Sequence, residues 1–272
     1  MDEIWAAYAD PRFVPLVVWG TAVSLVSFLA FAAPLTWLQW RAPAWAERWR
    51  VAARRPDVGR WLLPSIQRWL INNAALFVLL VVAWPWAAPW LGVRVGPLPG
   101  LAEVVLSCVV FAYADDLVFY AVHRVMHHGW LYRRVHSVHH RILTPIAFSG
   151  HYMHPVDFIV TALLMLAWPA LAGAHVVTVY AWVVIRQLEA AEGHCGYHLP
   201  ISPLLLLPGN HGADAHDFHH ARFTGNYAGF FAWVDRVFGT WSKGYAEHAV
   251  SRKLRWVSWL PGTEVRGPPG GG

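Results

Sequence analysis

Histidines are concentrated in two stretches of the chain, and their spacing is regular. The first stretch, HRVMHHGWLYRRVHSVHH at 123–140, has histidine at six of its eighteen positions, and the second runs from 194 to 220. In both stretches an HxxxH pair precedes an HxxHH triplet. The repeated pattern selects ten histidines: His123, His127, His136, His139 and His140, followed by His194, His198, His216, His219 and His220.

This spacing is typical of metal binding. Residues three and four apart lie on one face of a helix, with Cβ atoms about 5–6 Å apart, so two or three imidazoles can reach one ion. Ten nitrogen donors exceed the three or four that a zinc ion takes. Divided between two metals, they leave one position open on each octahedral ion, which suits an iron pair that activates oxygen. A pH-sensing cluster is the alternative, but it does not predict the repeat.

The acidic residues near the histidines are candidates for supporting the ligand rings. Asp116, Tyr120 and His123 are spaced by four and three, so they share one helix face. Asp116 either accepts a hydrogen bond from a ligand imidazole, as ligating histidines generally require, or pairs with an arginine. Asp217 invites the same two interpretations, and Glu192 is a candidate hydrogen-bond acceptor for the histidines that follow it. No Glu stands three residues before a His, so the site differs from carboxylate-bridged diiron bundles.

The composition indicates an integral membrane protein. Apolar residues make up 57% of the chain and charged residues 14%, against roughly 25% charged in soluble domains. There are 18 tryptophans, a residue that favours membrane interfaces. Apolar runs at 13–35, 69–93 and 101–122 are long enough for membrane helices, which need ~20 residues. The apolar region 156–188 is interrupted at 172–174 and predicts a helical hairpin that enters the bilayer and returns.

These elements predict an all-α fold with four to five membrane helices and a histidine-rich helical cap. We divide the chain into membrane spans with a basic connector at 1–100, a catalytic domain at 101–250 and a disordered Pro- and Gly-rich tail at 251–272. The two cysteines, Cys108 and Cys195, have no CxxC spacing and predict no disulfide framework.

Basic residues set the predicted orientation of the spans. Seven arginines lie in the connector after the first apolar run, where the positive-inside rule explains them better than a nucleic-acid partner does. Alternation of the spans then places every histidine group on the cytosolic side. The acidic N-terminus lacks the basic start of a cleavable signal peptide. The seven arginines of the connector are Arg41, Arg48, Arg50, Arg54, Arg55, Arg60 and Arg68.

The motifs over about residues 113–241 resemble those of the fatty acid hydroxylase and sterol desaturase superfamily of membrane-bound diiron oxygenases. Within it, the similarity is greatest to C-4 methylsterol oxidases, on WLYRRVHSVHH followed by Thr144-Pro145, on LEAAEGHCGYHLPISP at 188–203, and on GADAHDFHH leading to Asn226-Tyr227. The motifs that match the superfamily are HRVMH, LYRRVHSVHH, HYMHP, EGHCGYHLP, HDFHH and NYAGFFAWVDRVFGT.

The resemblance implies that the ten histidines bind two non-haem irons and that dioxygen is used to oxidise a sterol C–H bond. Because no nucleotide or haem motif is visible, electrons from NAD(P)H are expected through a cytochrome b5-type or ferredoxin-type carrier and its reductase. His128 is then a spare residue, and His154 supports the site or fixes the turn with Pro155. His151 replaces an acidic residue of similar enzymes, and His211 receives no ligand role.

Three alternatives remain open. Other lipid hydroxylases and desaturases, acting on fatty acids, sterol side chains or C-5 of sterols, share the same metal site. A membrane metal transporter would place its ligands at mid-bilayer, and a non-catalytic scaffold would be expected to have lost some ligands.

The predicted location is the endoplasmic reticulum membrane in a eukaryote or the inner membrane in a bacterium.

Overall fold

The computed structural model describes residues 2–52 and 54–242, and within those ranges it contains helices and no β-strand. This confirms the predicted all-α class. The tail predicted at 251–272 lies outside the described residues. In chain order the α-helices are α1 (Asp2–Ala7), α2 (Gly20–Arg41), α3 (Ala44–Glu47), α4 (Val58–Ala87), α5 (Leu101–Met126), α6 (Gly129–Arg134), α7 (Pro155–Leu171), α8 (Val176–Gly193), α9 (Ala213–Arg222) and α10 (Ala232–Val237).

Three helical segments in the described ranges are long and apolar enough to cross a membrane. They cover Val14–Arg41, Val58–Trp90 and Leu101–Met126, with 28, 33 and 26 residues. A spanning helix needs ~20 residues. Large apolar side chains such as those of Val26 and Leu106 face outward from these helices, as expected for contact with lipid. The chain is therefore an integral membrane protein by helix length and composition.

The second of these helices begins earlier than the sequence predicts. The apolar run starts at 69, but α4 begins at Val58 because the Asp57 carboxylate accepts a hydrogen bond from the backbone N–H of Arg60 at 3.0 Å. Arg60 and Arg68 consequently lie on this helix. The connector between the first two spans is reduced to about residues 42–57, so the basic segment is shorter than predicted.

The fourth apolar region forms two helices with a tight turn at the predicted break. Gly173 in this turn has φ +61°, and Gly92 of the linker between α4 and α5 packs against the Ala170 carbonyl, with no space for a Cβ. The Arg94 backbone N–H donates to the carbonyl of Ala174 at 2.9 Å. The turn therefore lies at the end of the bundle where α5 begins. The histidine-rich cap, which includes α6, α9 and α10, lies at the other end, where α5 finishes.

Candidate metal centre

Nine of the ten predicted ligands come together at the C-terminal end of α5, in two groups. In each group, the candidate ligand atoms lie within 4.8 Å of one another. All but His127, which is half-buried, are buried. Group one consists of His123, His127, His136, His140 and His219. Group two consists of His139, His194, His216 and His220.

Both HxxHH triplets are divided between the two groups in the same way. The first and last histidines of a triplet share a group, as His136 and His140 do in group one. The middle histidine, His139, belongs to the other group. In the second triplet the middle residue His219 joins group one and its neighbours join group two. Each triplet thus contributes to both groups, which the sequence reasoning did not foresee.

Hydrogen bonds from Nδ1 orient five of the nine rings. His136 contacts the Asp157 carboxylate at 2.7 Å, and the other four contact backbone carbonyl oxygens. A ring that donates from Nδ1 presents the lone pair of Nε2 to its group, which is the form that binds a metal. The carbonyl pairs are His123 with Tyr227 at 2.7 Å, His139 with Tyr152 at 3.4 Å, His194 with Ala190 at 2.7 Å and His219 with Gly225 at 2.8 Å.

The spacing of the Nε2 atoms fits a bound cation. Those of His123 and His136 are 3.1 Å apart, and those of His139 and His194 are 3.2 Å apart. Since all four rings donate from Nδ1, the lone pairs of their Nε2 atoms face each other and repel. A cation bound between the Nε2 atoms would remove this repulsion. Adjacent ligands of an octahedral metal with bonds of about 2.1 Å lie about 3.0 Å apart. The buried Nε2 of His219 has no hydrogen-bond partner among the described residues.

Burial keeps the imidazoles of His127, His194 and His219 neutral, as metal binding requires. It lowers the pKa of His194 to about 4 and that of His219 to about 3. Burial, followed by repulsion from His219 and His136, lowers the pKa of His127 to about 2. At pH 7 these rings therefore offer lone pairs without first having to lose a proton.

His198 lies outside both groups. Its Nδ1 is 2.9 Å from the Asp214 carboxylate, and its backbone N–H donates to the carbonyl of Trp49 at 2.8 Å. Its ring packs against Gly212, where an added Cβ would lie 2.6 Å from two ring atoms. Gly212 also has φ +68°, so the position requires glycine for two reasons. The ligand role of His198 stays a prediction.

Asp116 stabilises the cap through the backbone. Its carboxylate accepts hydrogen bonds from the N–H groups of Gly229, Phe230 and Phe231 at 2.7, 2.8 and 3.0 Å. These partners are neither the ligand imidazole nor the arginine expected from the sequence. Asp116 nevertheless supports group one indirectly, because the same loop provides Tyr227, whose carbonyl orients His123.

The other predicted supporting residues lie around the groups. The Tyr120 hydroxyl pairs with Thr240 at 3.0 Å, and the ring nitrogen of His154 caps α7. Glu192 accepts a hydrogen bond from the Ser202 hydroxyl at 2.6 Å. Asp217 lies beside Gly196, and His128 is exposed at the start of α6. The buried His151 ring stacks on Phe28, and the half-buried His211 contacts the carbonyl of Gly212.

Sequence reasoning missed Asp157 and Arg186. Asp157 is 21 positions from His136, so helical periodicity gives no sign that the two residues meet. Buried Arg186 forms ion pairs with Asp115 at 3.4 Å and Glu189 at 3.1 Å. The sequence signal for Arg186 was its charge within the apolar region 156–188, because a charged residue in an apolar helix requires a partner.

Replacing Asp157 by asparagine is expected to weaken metal binding in group one about 10–100-fold, because the His136 ring loses its charged acceptor. Metal retention against a chelator, measured as metal per chain, checks this. Asp10→Asn is the matched control, since Asp10 pairs with Arg12 beside the Ala88 carbonyl, at the end of the bundle away from both groups, and it should leave retention unchanged. Equal losses in the two variants would contradict the assigned role of Asp157.

Nine gathered histidines at the end of membrane-length helices define a membrane protein with a histidine-rich candidate metal centre. The Fatty acid hydroxylase family model matches residues 108–240. The chain belongs to the fatty acid hydroxylase family, which confirms the predicted resemblance.

Curated relatives support this membership. The chain is 43% identical to methylsterol monooxygenase 2-2 of Arabidopsis thaliana over 152 residues, which are 55% of this chain and 57% of that protein. It is 32% identical to methylsterol monooxygenase 1-3 of the same plant over 82% of this chain and 78% of the relative. It is 31% identical to very-long-chain aldehyde decarbonylase GL1-10 of Oryza sativa subsp. japonica over 93% and 86%. No solved structure matches the chain.

Proposed function

We propose that the protein is a membrane-bound non-haem diiron monooxygenase that oxidises the C-4 methyl group of a 4-methylsterol. The observation that carries the proposal is the pair of histidine groups, in each of which the candidate ligand atoms lie within 4.8 Å of one another. Family membership supports an oxidoreductase that acts on a lipid, and relatives named methylsterol monooxygenases support the substrate.

The nine grouped histidines would hold two irons, which supply reductive activation of dioxygen when bound. The protein's own contribution is to fix the rings and to shape the space beside them. A cavity of about 90 Å³, which we call the histidine cavity, is lined by His123 and His136 of group one and by His139, His194 and His216 of group two. Phe119 and Met126 also line it. A C–H bond placed there lies beside both groups.

Electrons are proposed to come from NAD(P)H through an acidic cytochrome b5-type or ferredoxin-type carrier and its reductase. Arg133, Arg134 and Arg141 are exposed on the cap, and no acidic residue occurs in the sequence between Asp116 and Asp157. A positive surface beside the histidines favours a negatively charged partner. We place this surface on the cytosolic side of the endoplasmic reticulum or of a bacterial inner membrane.

A second candidate function is conversion of a long-chain aldehyde. Relatives named very-long-chain aldehyde decarbonylases support it, and one of them aligns with 93% of this chain. Metal transport has less support. His123 is in the last turn of α5 and His127 is its C-cap, so the groups lie at a helix end instead of at mid-bilayer.

The decisive experiment measures iron and product on the purified protein in lipid nanodiscs. We expect two irons per chain and, with oxygen, NADH and a carrier system, a 4-methylsterol oxidised at the C-4 methyl with one atom from labelled dioxygen. A protein that binds no iron would contradict the diiron proposal. Consumption of a long-chain aldehyde, with the sterol unchanged, would favour the second candidate.

A further inference from the structure

A second, larger cavity adjoins the histidine cavity. It measures about 310 Å³ and lies between the first two membrane-length helical segments and the α7–α8 hairpin. We call it the apolar cavity. Ser24 of α2, Leu76 of α4 and Met165 of α7 line both cavities, so the two cavities meet at these three residues.

The apolar cavity suits a hydrocarbon body. No charged side chain is among the described residues that line it, and its polar members are Thr21, Ser24 and Asn73. Thr21 donates to the carbonyl of Val17 at 2.6 Å and Asn73 to the carbonyl of Trp69 at 2.8 Å, so both side chains donate to carbonyls of the preceding helical turn. An occupant with little polarity is therefore favoured along most of this cavity.

Gln187 of α8 supplies a polar group where the two cavities meet. Its Nε2 donates to the Ser24 hydroxyl at 2.9 Å, which fixes the carboxamide against α2. The side chain lines the histidine cavity and is 5% exposed. Its Oε1 has no hydrogen-bond partner among the described residues. A buried acceptor that lacks a donor is unfavourable, and a ligand hydroxyl would satisfy it.

We propose that Gln187 is a positioning residue that accepts a hydrogen bond from a substrate hydroxyl next to the carbon that is oxidised. The substrate class is then a lipid alcohol whose apolar body lies in the apolar cavity and whose hydroxyl end passes Ser24, Leu76 and Met165. This inference rests on the proposed function and deepens it. A 4-methylsterol has its hydroxyl on the carbon adjacent to C-4, whereas an aldehyde offers no donor.

The test compares a 4-methylsterol with its 3-deoxy analogue, which lacks only the hydroxyl. Binding is measured by competition with a photoreactive sterol on the iron-loaded protein in nanodiscs, without oxygen or reductant, so that turnover does not contribute. The wild type should bind the alcohol about tenfold more tightly, the difference that one hydrogen bond makes. Gln187→Leu should bind the two sterols equally while keeping two irons per chain.

Ser27→Ala is the matched control, because Ser27 lies one turn from Ser24 and its hydroxyl contacts only carbonyls of its own helix. It should retain the tenfold preference. His151 also lines the histidine cavity, and its Nδ1 has no hydrogen-bond partner within residues 2–52 and 54–242, so His151→Phe is tested in parallel. Loss of the preference in His151→Phe but not in Gln187→Leu would overturn the assignment, as would a wild type without any preference.

The same experiment separates this inference from the proposed function. A wild type that prefers the alcohol but oxidises no 4-methylsterol would leave the binding role of Gln187 standing and contradict the proposed reaction. A wild type that oxidises the sterol, with a preference that survives in Gln187→Leu, would leave the reaction standing and overturn the inference.

Discussion

Replacing His139 by alanine is expected to lower the bound metal from two ions to one per chain and to reduce lipid oxidation at least about 100-fold. The Nε2 of His139 is 3.2 Å from that of His194 and 3.1 Å from that of His220, so its loss removes one side of group two. Group one keeps all of its members. Metal analysis, together with the initial rate of sterol oxidation, checks both expectations.

The neighbouring residue gives the reciprocal variant. His140→Ala should empty group one, since the Nε2 of His140 is 3.1 Å from those of both His127 and His136. The exposed His128 is the control, and His128→Ala should keep both metals. A His139→Ala protein that retains two metals, or a His128→Ala protein that loses one, would contradict the division into two groups.

The sequence pattern was sufficient to locate most of the site. The HxxxH pairs and the HxxHH triplets together selected ten histidines, of which the fold gathers nine, although the adjacent residues His139 and His140 belong to different groups. Periodicity indicates which residues share a helix face. It cannot show that neighbouring rings serve two ions, because that depends on where α5, α8 and α9 meet.

Contacts between distant segments were beyond sequence reasoning. Asp157 orients His136 because the start of α7 packs against the first triplet, and no regular spacing joins the two positions.

The start of α4 was missed for a different reason. The apolar run begins at 69, but the helix signal was the cap residue Asp57, which stands among arginines that suggested a loop.

Replacing Gly150 by alanine is expected to destabilise the cap and to empty group two. Gly150 is buried in the turn Ala147–His151, where a Cβ would overlap the carbonyl oxygen of Ala190 and lie 3.2 Å from Nδ1 of His194. That oxygen accepts the hydrogen bond that orients His194 at 2.7 Å. Because backbone cannot move as easily as a side chain, we expect a loss of about 1–3 kcal/mol or more in unfolding free energy.

Thermal unfolding and metal content in the same detergent check this expectation, with Gly59→Ala as the control. Gly59 is exposed in the first turn of α4, and the nearest atom to an added Cβ is 3.8 Å away. That change should be neutral or stabilise the protein by up to about 1 kcal/mol, since alanine favours the helix. If Gly150→Ala unfolds at the wild-type temperature and keeps both metals, then the Ala190 carbonyl does not hold His194 in place.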